Sequence, residues 1–298
     1  MNPYAFNQSA CSPDTELADF IRASRRLAVL TGAGCSTESG IPDYRDANGE
    51  WKHKRPVDYR DFVADAAVRR RYWARSLVGW RRFAAAQPNG AHHALAALER
   101  AGRVHGLITQ NVDGLHQRAG SRKVIDLHGR LDVVDCLGCR AQSSRIEFQV
   151  ELERRNPGWL TFDAADAPDG DAQLEGPQFD AFDMPACSAC GGILKPGVVF
   201  FGEAVPRERT TAAFELIAAA DALLVVGSSL MVWSGYRFVR RAAERGIPIA
   251  AVNIGKTRGD DLIGLRVAGH CGPILEELVL GPLGLWTGAR LQARYRSG

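Results

Sequence analysis

The chain has 298 residues, 46% hydrophobic and 24% charged, with a formal net charge of +3. That is an ordinary globular composition with room for one large domain and a smaller companion, and it excludes disordered and collagen-like classes. No run of about 18 uncharged apolar residues is present to span a membrane, residues 1–14 carry no basic n-region or apolar h-region, and the near-neutral balance gives no case for nucleic acid, so a cytoplasmic protein is expected.

Residues 1–14 read as a loose tail. Leu27-Ala28-Val29-Leu30-Thr31 reads as a buried strand that ends in Gly32-Ala33-Gly34, where the backbone can turn tightly and approach a ligand. Backbone N–H groups at a following helix start would face an anion there. A dinucleotide fingerprint of the dehydrogenase type needs a third glycine at position 37, where the chain has Thr37, so hydride transfer is disfavoured. A turn without a ligand remains the alternative at this point.

Residues 57–86 carry Trp73, Leu77, Trp80 and Phe83 at spacings of three and four, which predicts a helix with one apolar face. Arg69-Arg70-Arg71 and the arginine pairs at 25–26, 81–82, 154–155 and 240–241 read as solvated helix faces, not as a nucleic-acid surface. Pro88-Asn89-Gly90 marks a turn before a helix over 92–100 that ends at Gly102. Val104 to Thr109 is the next strand, and it runs into Gln110-Asn111-Val112-Asp113.

The same arrangement recurs along the chain. Strands over 123–127, 222–226 and 247–252 end in His128-Gly129, Gly227-Ser228-Ser229 and Asn253-Ile254-Gly255, with helices over 211–220 and 236–245 between them. Small or hydrogen-bonding residues at five strand ends imply one shared crevice at the edge of a doubly wound parallel sheet.

A different module interrupts this pattern. Cys136-x-x-Cys139 and Cys187-x-x-Cys190 form the two knuckles of a four-thiolate site suited to one structural Zn²⁺ ion, with two disulfides as the alternative. The long separation calls for an insertion, with residues 167–171 as an exposed turn. Residues 140–186 hold ten acidic residues against four arginines, which would repel phosphate backbones. The fold class expected is therefore α/β, a doubly wound Rossmann-like parallel sheet with a smaller zinc-binding domain inserted. Residues 15–130 and 195–282 form the first, 131–194 the second, and 283–298 a second tail. The helical stretch 57–86 packs with the small domain.

Taken in order, Gly-Ala-Gly-x-Ser with Ile41-Pro42-Asp43-Tyr44-Arg45, Gln-Asn-Val-Asp, His-Gly, the Cys pairs, Val198-Val199-Phe200-Phe201-Gly202-Glu203, Gly-Ser-Ser and Asn-Ile-Gly resemble the sirtuins over about residues 15–280. Arg71-Tyr72-Trp73-Ala74-Arg75, Val78-Gly79-Trp80 and Ser234-Gly235-Tyr236-Arg237-Phe238 look like class II, the branch of mitochondrial sirtuin four.

The resemblance implies an NAD-dependent protein-lysine deacylase that yields nicotinamide, O-acyl-ADP-ribose and free lysine. Gly32, Ala33, Gly34, Ser36, Gly227, Ser228 and Ser229 would hold NAD phosphates and ribose, and Ile41, Asp43, Tyr44 and Arg45 would close over the nicotinamide ribose. Gln110, Asn111, Val112 and Asp113 would contact that ribose and the carboxamide, and Asn253, Ile254, Gly255 and Cys271 the adenosine. Val199, Phe200, Phe201, Gly202 and Glu203 would receive an acyl-lysine peptide by strand addition. The acyl oxygen would attack C1′ of the ribose, and Asn111 and His128 would be catalytic, His128 as a base with an ordinary pKa near 6.5. Taken alone, His128 would read as a loop-capping histidine.

The class III Tyr-x-x-Arg pair for acidic acyl chains has no counterpart after Tyr44-Arg45, so such a preference is not expected. Cys35 reads as a packing residue and His116 as structural. Mono-ADP-ribosylation and a non-catalytic NAD-binding module are the alternatives, and no membrane or nucleic-acid partner is expected.

Overall fold

The computed structural model describes residues 13–52, 56–162, 170–174 and 179–285. Its elements begin with α1 (Pro13–Ala23), β1 (Leu27–Thr31), α2 (Tyr59–Ala64), α3 (Ala66–Ala85), α4 (Gly90–Arg100), β2 (Val104–Thr109), α5 (Leu115–Arg118) and β3 (Val124–Asp126). There follow β4 (Gly129–Cys136), β5 (Gln142–Ser144), α6 (Arg145–Arg155) and β6 (Leu194–Val198). The chain continues through α7 (Arg207–Ala219), β7 (Ala222–Val226), α8 (Trp233–Glu244), β8 (Ile249–Val252), β9 (Leu265–Val267) and α9 (Cys271–Leu280).

β1 is buried at every position, as a central parallel strand covered on both faces must be. Its side chains alternate between two cores: Leu27 and Val29 meet Leu17 of α1, Leu95 of α4 and Leu275 of α9, while Ala28 and Leu30 meet Ile217 of α7 and Phe238 of α8. Six parallel strands run in the order β3-β2-β1-β7-β8-β9. The chain therefore builds outward from β1 in one direction and returns from β7 in the other. The crevice between β1 and β7 is the switch point, where open sheets of this kind bind ligands.

Between β3 and α7 the chain leaves this sheet and forms a three-stranded antiparallel one, β5-β4-β6. A separate core joins it to α3: Trp73 and Leu77 are fully buried against Val134, Phe148 and Leu152. Tyr72 and Trp80 are buried as well, so the aromatic face of α3 is core.

Several expectations need correction. The stretch 57–86 is two helices, divided at Asp65, whose carboxylate accepts from the Ala67 N–H and caps α3. After Gly32 come only two single 3₁₀ turns, 33–35 and 37–39, and no α-helix. α4, α7 and α8 start earlier than the apolar pattern suggested, at Gly90, Arg207 and Trp233. Asn89 caps α4 with a reciprocal bond to His92.

Of the turn expected over 167–171, residues 167–169 lie outside the described residues. Gly170 and Asp171 are not exposed; they dock on α3, where a side chain at Gly79 would meet the Gly170 carbonyl at 2.5 Å. Residues 1–12 and 286–298 also lie outside the described residues, while Leu283 and Leu285 rest against the first core.

Candidate active site

The switch point is closed by glycines. Gly34 donates its N–H to the Gly227 carbonyl at 2.8 Å, and Gly227 adopts φ +60°, where a Cβ would lie 2.2 Å from the Cys35 nitrogen. Only glycine tolerates both the conformation and the approach. The N–H groups of Ala33, Ser228 and Ser229 meet no protein acceptor among the described residues, and all three residues line a cleft of 1220 Å³. Backbone donors gathered on two adjoining turns form a concave anion site.

Beside this turn lies a buried polar network. Ser36 donates to Asp113 at 2.7 Å, and the Asn111 amide donates to Ser36 Oγ at 2.9 Å and to the Gly32 carbonyl at 3.0 Å. Burial raises the Asp113 pKa, opposed by the Leu115 N–H and the Ser36 hydroxyl. His92, fully buried, approaches Ser36 Oγ at 3.4 Å, and burial lowers its pKa well below the usual value. His116 is also fully buried, 2.9 Å from Thr31 Oγ1, and burial draws it down to about 3. Cys35 is completely enclosed and its pKa is raised by burial, so it is an inert packing thiol.

His128 stands between β3 and β4. Its Nδ1 lies 3.0 Å from the Gln110 carbonyl and its Nε2 lies 2.7 Å from Ser234 Oγ. A carbonyl can only accept, so Nδ1 carries the proton and Nε2 has a lone pair that receives the Ser234 hydroxyl. Burial lowers the ring pKa to about 4, opposed by the Gln110 bond. The expected value near 6.5 is therefore corrected downward, because the half-buried ring has lost much of its solvent and Arg237 and Arg209 stand near it. The imidazole is neutral at pH 7 and can accept a proton.

The segment expected to close over the ligand is held at both ends of the cleft. Lys256 donates its N–H to the Ala47 carbonyl at 3.0 Å, and the Arg45 guanidinium lies 4.0 Å from the Trp51 ring centre. Trp51 and Tyr44 meet Phe201 edge-on at 5.6 and 6.4 Å. Val199 donates to the His128 carbonyl at 2.7 Å, while its own carbonyl accepts no hydrogen bond among the described residues. Phe200 packs on Phe62 and Tyr72. Glu203 receives the Phe200 N–H at 2.8 Å and pairs at 3.2 Å with the buried Lys195 ammonium, which fixes the turn.

At the other wall of the cleft stand Tyr72 and Arg75, one turn apart on α3. The Tyr-x-x-Arg spacing sought after Tyr44-Arg45 is present here, on a helix whose apolar pattern hid it. Arg75 is already paired, at 2.6 Å, to Asp171 from the inserted module and donates to the Ala172 carbonyl at 2.8 Å. Burial raises Asp171 to about 6 despite that arginine.

The four module cysteines converge. All four Sγ atoms lie within 4.8 Å of one another, with Cys136 to Cys190 at 3.5 Å and Cys139 to Cys187 at 3.8 Å. A tetrahedral Zn²⁺ with bonds of about 2.3 Å needs sulfur edges of about 3.8 Å. A side chain at Gly192 would meet Cys136 and Cys190 Sγ at 3.0 Å each, so glycine keeps the sulfur cage open. The donor set fits one structural zinc ion, with all four positions taken by thiolates and none left for chemistry.

The cleft brings together every residue expected to hold the dinucleotide or the peptide, from Gly32 to Cys271, together with His128. Sequence reasoning missed His92, Ser234, Tyr72, Arg75 and Asp171. Tyr72, Arg75 and Ser234 stood inside quoted motifs, but nothing local showed that they face the cleft.

A family model described as the Sir2 family matches residues 32–234. An NAD-dependent protein deacetylase of Xanthomonas campestris pv. campestris is 59% identical over 281 residues, 94% of this chain and 95% of that one. The bovine mitochondrial NAD-dependent protein lipoamidase sirtuin-4 is 49% identical over 263 residues, 87% of this chain and 84% of its own length. A solved structure described as Sir2 with a p53 peptide and NAD⁺ superposes with a TM-score of 0.73 at 30% identity, covering 91% of this chain and 98% of that one.

Proposed function

The chain belongs to the Sir2 family, and from that premise we infer that it is an NAD-dependent protein-lysine deacylase acting on acylated proteins or peptides. It transfers the acyl group from lysine to the ADP-ribose portion of NAD and releases nicotinamide. One observation supports this beyond the family match: the neutral His128, with Nε2 unprotonated, shares a single cleft with an anion-binding turn and an unpaired strand edge.

The family resemblance suggests the roles below, and the geometry agrees with them. Ala33, Ser228 and Ser229 offer backbone donors to the pyrophosphate, with Gly32, Gly34, Ser36 and Gly227 shaping the turn. Asn253, Ile254, Gly255 and Cys271 line the adenosine end. Asn111, oriented by Gly32 and Ser36, and Asp113, oriented by Ser36 and the Leu115 N–H, face the nicotinamide and its ribose alongside Gln110 and Val112. Ile41, Asp43, Tyr44 and Arg45 close that side and exclude water. Val199 accepts a hydrogen bond from the peptide, and Phe200, Phe201, Gly202 and Glu203 complete the edge. His128 Nε2 takes the ribose hydroxyl proton once Ser234 yields its hydrogen bond.

Cys136, Cys139, Cys187 and Cys190 hold the zinc ion that shapes the inserted module, residues 131–194. Residues 15–130 with 195–282 form the nucleotide-binding domain. Free thiols at Cys35 and Cys271 support a cytoplasmic enzyme; no helix among the described residues is long and apolar enough to cross a membrane.

The test is mass spectrometry of the purified protein with NAD and a panel of acetyl, longer-chain and acidic acyl-lysine peptides. Acyl-ADP-ribose from the wild type, and at least about 10²-fold less from His128→Ala, is expected. ADP-ribosylated protein without deacylated peptide would replace this reading with ADP-ribosyl transfer.

A further inference from the structure

A second cavity, of 630 Å³, lies between α7 and α8, and Trp233 lines both it and the main cleft. Trp233 leaves 49% of its surface exposed. An aromatic ring on the rim between two cavities, half exposed and flanked by arginines, is suited to hold a bound segment.

The charge around this ring is one-sided. Arg237, Arg240 and Arg241 line the cavity, and the guanidinium groups of Arg240 and Arg258 stand 5.5 and 5.6 Å from the Trp233 ring centre. Arg258 is tied to the strand-end loop through its N–H to the Ser229 carbonyl at 2.9 Å. Against four arginines stand Glu215 and Glu244. Glu244 is shared between Arg240 at 3.4 Å and Arg241 at 3.6 Å, and all three side chains are about half exposed. Such pairs are weak and exchange readily for another carboxylate.

We propose that this cavity is a subsite for the part of the substrate chain adjoining the acyl-lysine, and that it selects acidic side chains there. The inference rests on the deacylase reading, because it supposes a peptide along the Val199 edge. A peptide added as a strand advances about 3.3 Å per residue, so a neighbour of the lysine leaving past Trp233 enters the second cavity. Its stem lies on the indole, and its carboxylate accepts from Arg240 or Arg241 in place of Glu244. The planar guanidinium fork suits a carboxylate better than any other peptide side chain.

The experiment uses a capped acyl-lysine and three peptides that differ only in flanking Glu, Gln or Lys, with KM, kcat and calorimetric binding recorded for each. The Glu peptide is expected to show a KM about five-fold below the Gln peptide at low salt. That advantage should fade by about 0.5 M salt as exposed charges are screened. The double variant R240Q/R241Q is expected to abolish it, with KM for NAD and for the capped acyl-lysine unchanged. Equal KM values for the three peptides, or a preference that survives R240Q/R241Q, would overturn the subsite. Charge-dependent binding that R240Q/R241Q removes, with no turnover of any acyl-lysine, would support the subsite and count against the deacylase reading instead.

Discussion

The two walls of the cleft are built on different physical principles. The nucleotide wall is made of strand ends in a parallel sheet, where backbone groups, glycines and a few polar side chains are held by strands buried on both faces. Gly34 bonds to Gly227 across the switch point, and Asn111 to Gly32. The module wall is made of side chains carried by α3 and by a small antiparallel sheet whose outer end is tied by four sulfurs. The first wall keeps its shape because the main core is behind it. The second depends on a metal and on an aromatic core shared with a distant helix.

Breaking the module wall should have the largest effect. Cys187→Ser removes one of four ligands, and because metal binding and folding are one equilibrium in such sites, zinc content and soluble yield are expected to fall together. Metal analysis of the purified variant checks this, and a well-folded zinc-free protein would contradict it.

On the nucleotide wall, His128→Ala is expected to lower turnover by about 10²–10⁴-fold while NAD binding persists in calorimetry. Near-normal turnover would remove His128 from the role of base. Gly227→Ala attacks the wall's geometry instead, placing a Cβ against the Cys35 nitrogen at 2.2 Å in a left-handed conformation. A loss of about 3 kcal/mol in denaturant unfolding is expected, together with weakened NAD binding. An unfolding midpoint like that of the wild type would show that the turn relaxes.

Smaller effects sharpen the electrostatic side. Ser234 donates to the neutral His128 ring at 2.7 Å, and a bond to the neutral form lowers the pKa. Ser234→Ala is therefore expected to move the acid limb of kcat/KM upward by about 0.5–1 pH unit; an unmoved limb would dissociate Ser234 from the base.

Protonation also links to stability. His128 and His116 are depressed from 6.5 to about 4 and about 3, so between those values and 6.5 the unfolded chain binds more protons than the folded one. Their contribution is complete above pH 6.5 and is lost progressively as pH falls toward 4 and then 3. Thermal melts should show this decline, and His116→Asn should flatten it if the variant folds. A slope identical to the wild type would show that other groups dominate.

Much of the nucleotide wall was legible because its parts are local: an aliphatic run ending in Gly-x-Gly and a strand ending in Gln-Asn-Val-Asp each mark a strand end within a few residues, and the motifs together pointed to the dinucleotide. The zinc quartet was legible for a related reason, since two Cys-x-x-Cys knuckles match the ligand spacing of a tetrahedral four-thiolate zinc site. The antiparallel sheet was not foreseen, because β5 has three residues and β6 carries Lys195, Pro196 and Gly197 in its short span. The Tyr72 and Arg75 side of the cleft was missed because both residues sit within an amphipathic helix whose pattern announces core.

By itself the sequence determined five of the six parallel strands, the strand-end residues and the four thiolates, while the family came from the likeness of its motifs taken together. The strands, strand ends and thiolates rest on short-range periodicity, glycine geometry and ligand spacing, which need no knowledge of partners far along the chain. Tertiary structure alone decided that Asp171 reaches Arg75, that Ser234 reaches His128 and that Trp233 stands between two cavities. Each of these depends on elements separated by tens of residues being brought into contact by buried apolar faces, and non-directional burial leaves no local mark of which polar groups will meet.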